Sequence, residues 1–212
     1  YTSPALRWWV EYGTRDDYGS ALSQSSAWAA VHYFAARDAE EIGPLTWPEG
    51  NDWIAQRLRA RAGARVLTGA PAVALERVGR RWLVRTPHVD VVCDAIVWAA
   101  PLFVLPKVLP SVVVPVRTEY ASWVVANLTL FRPPAEQGAP PAWDSVIYGS
   151  PSLGYVDAGH QQLGTRSPRR VWTWYHAVVD RPGVEGRKWL QQQPWSYWRD
   201  VIVAELSRAH TD

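Results

Sequence analysis

Five histidines are the side chains of this 212-residue sequence best suited to move protons near neutral pH, and two sit where chemistry could use them. His160 lies in Asp157-Ala158-Gly159-His160-Gln161-Gln162, after one predicted strand and before a loop, a place where functional groups collect. It is the first candidate for acid–base work; the competing role is a hydrogen-bonded structural histidine. His176 shares a predicted strand face with Trp172 and Trp174, so it lines either a pocket or a core that satisfies its nitrogens. The histidines are widely separated and no pair has helical ligand spacing, so no metal is expected. Cys93 is the single cysteine, which rules out an intrachain disulfide, and in Val91-Val92-Cys93 it reads as a small buried hydrophobe. Asp16-Asp17 reads as a surface capping and turn pair, with binding of a cation or cationic substrate as the alternative.

Other chemistries lack their motifs. No G-x-S-x-G elbow presents a serine nucleophile. No two glycines are spaced G-x-G, so no dinucleotide turn lets backbone approach a pyrophosphate, and no P-loop is present. Net charge is +2 with scattered arginines, which gives no case for nucleic acid. No run nears the roughly 20 apolar residues of a membrane span, and no signal peptide opens the chain. Tyr1-Thr2-Ser3-Pro4 looks like the middle of a longer protein, which leaves the compartment open between cytoplasm and periplasm. Fourteen tryptophans beside no methionine is an unusual composition. Most should fill a core, and a few could stack on sugars or wall a cationic group.

These residues must be placed by helices and strands in roughly equal measure. Ser3-Pro4 starts a helix with Leu6, Trp9 and Val10 on one face, followed by a polar loop from Tyr12 to Ser26. A second helix is predicted over Ser26–Ala39, with a stripe of Trp28, Val31 and Ala35. The stretch Leu45–Pro101 carries a helix from Asn51 (Ile54, Leu58, Ala62) that stops at Gly63. Short strands follow at Arg65–Thr68, Ala72–Val78, Arg81–Thr86 and Val89–Val92, with a buried strand at Ala95–Ala99. A short irregular helix comes after Pro101. Trp123–Phe131 is a strong strand, Arg132–Pro141 a loop, and Trp143–Tyr148 and Gly154–Ala158 short strands. Arg170–Val179 alternates cleanly, and Pro194 opens a last helix with Trp195, Trp198, Ile202 and Leu206 on one side. The fold expected is α+β: a mixed or antiparallel sheet packed by the helices at Trp9, Trp28 and Trp198, plus a small β-hairpin layer.

The ordered set Pro48-Glu49-Gly50-Asn51, a helix, Val66, a strand at Ala72-Val73, a hairpin, Asp94-Ala95-Ile96-Val97 and Ala100-Pro101 resembles the flavin-containing amine oxidase family. Its flanks LRWWVEYGTRDDYG, SAWAAVHYFAAR and WDSVIYGSPSLGYVDAGHQ are similar to a bacterial branch of that FAD-dependent superfamily. The resemblance spans nearly the whole chain. It implies an internal fragment. Residues 1–50 and 102–212 would form the substrate-binding domain, and 51–101 the helix and β-layer of an incomplete FAD-binding domain. The family's glycine turn would lie upstream of this region.

The resemblance also implies that Ala72 or Val73 meets the adenine end of FAD through main-chain groups, and that Ala100-Pro101 passes near the dinucleotide. The family's lysine, which positions a water near the flavin, is replaced here by Ala126 or Asn127, so oxidation of simple amines by the usual arrangement is not implied. Tyr155, Trp174 or Tyr175 would flank the substrate. The parent would then be an FAD-dependent oxidoreductase that removes hydride from a C–N or C–C bond of a small organic molecule, with His160 as proton acceptor. The fragment alone would lack stable FAD binding and would self-associate through surface left uncovered. The alternative from a different class is a non-enzymatic module that stacks tryptophans on carbohydrate.

Overall fold

The computed structural model describes residues 3–36, 47–114, 119–132, 134, 142–161 and 169–210, with Ala64, His160 and Gln161 described by backbone alone. The α-helices are α1 (Pro4–Tyr18), α2 (Ala27–Ala35), α3 (Asp52–Ala62), α4 (Leu105–Val108), α5 (Gly183–Gln192) and α6 (Trp195–Leu206). The strands are β1 (Ala74–Val78), β2 (Arg81–Arg85), β3 (Val91–Cys93), β4 (Ser122–Leu130), β5 (Asp144–Ser145), β6 (Tyr155–Asp157) and β7 (Arg170–Val178). The architecture is α+β with two antiparallel sheets, ordered β1-β2-β3 and β4-β7-β6-β5. They belong to different compact units. A split unit comprises Tyr1–Asn51 and Glu119–Asp212, and an inserted unit comprises Asp52–Thr118.

In the split unit, β4 and β7 pair over nine residues each, from Ser122↔Val178 to Leu130↔Arg170. Alternation sends Trp172, Trp174 and His176 to one face together with Val124, Ala126 and Leu128. Tyr155, Trp172, Trp174 and Ile202 form the core there, and Trp198, Val201 and Leu206 of α6 pack against it. Trp174 is 0% exposed, a burial that stabilises the fold by about 3 kcal/mol. The opposite face is covered at one end, where Tyr12 of α1 joins Leu153 and Ala177.

Helix α1 starts as the sequence indicates, with Ser3 Oγ accepting from Leu6 N at 3.4 Å. It does not stop at Tyr12 but continues to Tyr18 and is closed by Gly19. Burial of Tyr12, Gly13, Thr14 and Arg15 fixes that continuation, a tertiary effect that polar composition hides. In α2 the predicted stripe is wrong. Tyr33 is the buried residue, packed on Gly13, and Trp28 is 71% exposed. Trp9 is also exposed, so of the three tryptophans expected to pack the helices only Trp198 does so. The predicted run of α2 to Ala39 and most of the Arg132–Pro141 loop fall outside the described residues. Helix α5 was not anticipated. Its Ser122 contact, Ser122 Oγ donating to Gly183 O at 2.8 Å, ties its start to β4.

The inserted unit is a three-stranded meander with one largely apolar face (Leu75, Trp82, Val84, Cys93), on which Arg77 lies beside Trp82, and one face that carries Glu76, Arg81 and Arg85. On the latter face Arg85 pairs with Glu76 at 2.6 Å and with Asp90 at 2.9 Å. The Arg65–Thr68 stretch is not a strand; a 3₁₀ turn ends at Arg65 and the chain then runs irregularly. Ala95–Ala99 is not a buried strand either. It pairs with nothing among the described residues, and Val97 is 92% exposed. An apolar run becomes a buried strand only when neighbours supply ladder partners on its edges. Leu58 of α3 is likewise 61% exposed, so the helix forms with its apolar stripe uncovered.

Candidate functional site

The strongest concentration of interior polar chemistry lies in the split unit, around the Gly149–Gly154 loop. Arg15, on the last turn of α1, is 6% exposed and donates through Nη1 to the carbonyls of Pro151 (2.8 Å) and Ser150 (3.4 Å). Its Nε has no hydrogen-bond partner among the described residues, and burial pulls the guanidinium below its ordinary pKa. Glu205, buried on α6, accepts from Ser152 Oγ, and Ser152 Oγ in turn accepts from Gly154 N at 2.9 Å. Gly154 has φ +77, and a Cβ there would fall 2.0 Å from the Ser145 carbonyl oxygen. The chain can make this turn only with glycine. Leu153 N donates to Tyr175 O at 2.9 Å and Tyr175 N to Gly154 O at 3.0 Å, which stitches the loop to β7.

His176 faces the same interior from β7. Its ring lies nearly parallel to Trp174, 5.7 Å between centroids, and Nδ1 is buried without a hydrogen-bond partner among the described residues. Burial is the main cause that lowers its pKa; the positive charge of Arg15 adds to it, while Glu205 and Asp180 oppose it. The Trp172 and Trp174 indole N–H groups are also buried without hydrogen-bond partners among the described residues. Arg15, Ser152 and Glu205 orient the loop through these bonds, and His176 feels the charges of Arg15 and Glu205. The constellation presents no exposed nucleophile, because Ser152 is 0% exposed.

The residues singled out from sequence are distributed as follows. His160 sits on the 3₁₀ turn Ala158–Gln161 directly after β6, and its side chain lies outside the described residues. The turn entering it is anchored by Asp157, which accepts from Gly159 N at 2.8 Å and from Arg170 Nη1 at 2.6 Å. Tyr155 is buried, stacked on Trp172 at 4.1 Å, with its hydroxyl 3.0 Å from His210 Nε2. Trp174 lies beside it in the core. Tyr175, one residue on, points to the other face by strand alternation, so Trp174 and Tyr175 cannot wall one pocket. Ala126 turns to the helix-covered face, and Asn127 to the other, where Thr173 Oγ1 donates to its Oδ1 at 2.9 Å. Asp16 accepts from Tyr33 Oη at 3.1 Å, a structural use of that carboxylate.

In the inserted unit, Ala72 is half-buried and Val73 exposed, and Val73 N donates to Arg85 O at 2.9 Å. Ala100 and Pro101 are exposed, and Pro101 O accepts from Val104 N at 3.0 Å and from Trp98 Nε1 at 3.4 Å. The Val73 N–H, as the meander leaves it, is not free to meet an adenine. These four residues do not by themselves form a cradle for FAD.

Two clefts are present among the described residues. One, about 180 Å³ in the split unit, is lined by Tyr18, Glu119, Tyr120, Arg181 and neighbouring backbone. Arg181 is already paired with Asp180 at 2.6 Å and lies over the Trp189 ring at 4.3 Å. The other, about 170 Å³ in the inserted unit, is walled by Leu75, Trp82, Ile96, Trp98, Leu105 and Leu109. None of the sequence-derived site residues lines either. Arg15 and Glu205 were missed because a charged residue in sequence reads as solvated surface, and only a fold buries it. No metal-holding cluster of His, Cys, Asp and Glu occurs among the described residues, and none of their helices is long and apolar enough to cross a membrane. Compared with known proteins, the chain matches no family model and no curated protein.

Proposed function

We propose that this chain forms part of an FAD-dependent oxidoreductase of the amine oxidase type, acting on a C–N or C–C bond of a small organic substrate. The observation that carries the reading is the interleaving of units: residues 52–118 form one compact body within the sequence of another. The resemblance implies such a division, with residues 51–101 on the cofactor side and the flanking segments on the substrate side. On this reading the inserted unit contributes to the cofactor side and the Trp-rich split unit to the substrate side. The grip on the pyrophosphate comes from outside these 212 residues, since they contain no G-x-G turn. FAD would supply the hydride chemistry, and the protein would position substrate and exclude water.

The test is the flavin content of the natural gene product that contains this sequence. Purified and incubated with excess FAD, it should retain stoichiometric flavin with the two-band visible spectrum of the oxidised cofactor. A protein that retains none overturns the reading. Residues 1–212 alone should retain no flavin; tight stoichiometric binding by them would refute the division of the cofactor site. A second reading, a carbohydrate-stacking module, draws on the exposed Trp28 and Trp195. They lie on different helices, so oligosaccharide quenching of tryptophan fluorescence would have to come from separate platforms.

A further inference from the structure

The hollow in the inserted unit has a chemistry that the flavin reading does not use. Its floor is the apolar face of the meander, Leu75 on β1 and Trp82 on β2. Its wall is the irregular segment with Ile96 and Trp98, and its far side is Leu105 and Leu109 at the ends of α4. Leu75 is buried, and the other five are half-buried around a partly open space of about 170 Å³. No charged side chain lines it. The Trp98 indole N–H donates to Pro101 O at 3.4 Å, so it is already engaged. Arg77, cross-strand partner of Trp82, holds its guanidinium 5.0 Å from that ring's centroid and so fixes one side of the indole.

Water in this partly open space finds few polar partners on the wall. Enclosed apolar cavities of about 150 Å³ lined by aliphatic and aromatic residues take up benzene. We propose that this hollow is a binding site for one small uncharged aromatic ring, of about benzene or toluene size, held against Trp82 and Trp98. Two indoles favour an aromatic occupant through offset or edge contacts. The all-apolar lining excludes a charged one, because an ion there would be desolvated without a partner. The site stands on the geometry of the inserted unit alone, whether or not the protein uses a flavin.

Titration of ¹⁵N-labelled protein with toluene tests it through the indole N–H signals. The signals of Trp82 and Trp98 should shift, with intermolecular NOEs from toluene to the Leu75 and Ile96 side chains. Benzoate and benzylammonium should bind about tenfold more weakly or worse. Cyclohexane should bind more weakly than toluene; equal binding would overturn the aromatic preference. Leu109→Phe and Leu105→Phe fill the space and should abolish the shifts. Val97→Ser, at a 92% exposed position beside the hollow, should leave them unchanged. Absence of shifts and NOEs in the wild-type protein overturns the site, and so does undiminished binding by a filled variant whose hairpin amides remain protected.

Discussion

The inserted unit is the richer in apolar residues, 38 of 67 against 63 of 145, yet it buries fewer of them. The split unit holds eleven of the fourteen tryptophans, and nine of its hydrophobic residues are buried among the described residues. In the inserted unit two are buried, Leu75 and Val108, while Leu58, Leu67, Val92 and Val97 face solvent. Charge divides as well. The inserted unit has ten Lys and Arg against four Asp and Glu, and the split unit twelve against sixteen. The comparison teaches that apolar sequence makes a core only where a second layer covers it. Helices α5 and α6 cover the β4–β7 sheet, whereas α3 and the Ala95–Ala99 stretch find no such cover among the described residues.

The largest expected effect tests the dense side of that contrast. Trp174→Ala should cost about 3–5 kcal/mol, read as a fall in the denaturant midpoint for the split unit. Loss of less than about 1 kcal/mol would mean that this core is loosely packed. Trp82→Ala, half-buried in the other unit, should cost clearly less in the same measurement.

Glycine substitutions sharpen the same comparison. Gly154→Ala meets both a left-handed backbone and the Ser145 carbonyl, and should destabilise by about 3 kcal/mol. Gly79→Ala has φ +59 but open space around it, and should cost about 1 kcal/mol. Equal effects in thermal melts would contradict the difference in packing.

A smaller effect is carried by pH. His176 is native in its neutral form, and its folded pKa is lowered by burial. As pH falls below about 6.5 the unfolded chain takes the proton first. Stability should therefore drop from that pH down to the lowered folded value and then level off. His176→Gln should flatten this part of the profile of melting temperature against pH. A wild-type profile that rises on acidification through this range would reverse the assignment.

The smallest effect belongs to the exposed face of the meander. The hydrogen bond from Arg85 is the main cause that holds the Glu76 carboxyl below its ordinary pKa, on a surface that water screens. Arg85→Ala should shift the melting temperature only slightly, and added salt should erase the difference between variant and wild type.

Local pattern was legible wherever one element decides its own form. The period-two run at Arg170–Val178 announced β7, Gly79-Arg80 announced the β1–β2 turn, and Ser3-Pro4 announced the start of α1. These depend on alternation, turn and capping chemistry within a few residues. Where α1 ends could not be read, because Arg15-Asp16-Asp17 looks like a solvated turn until Tyr33 and the Ser150-Pro151 carbonyls pack against it. The candidate site was less legible still. His176 was visible as a strand histidine, but its surroundings arise from Arg15 reaching a loop 135 residues on and from Glu205 reaching Ser152, 53 residues back.

The sequence by itself therefore determined the segments whose form is set locally, such as the start of α1, the β1–β2 turn and β7, and it contains no glycine turn for a dinucleotide. Only the tertiary structure decided which of those segments are covered. Trp174 and Val97 both lie in strongly apolar runs, yet one is fully buried and the other almost fully exposed. Burial is a property of what packs against a residue, and that partner is set by contacts distant in the chain.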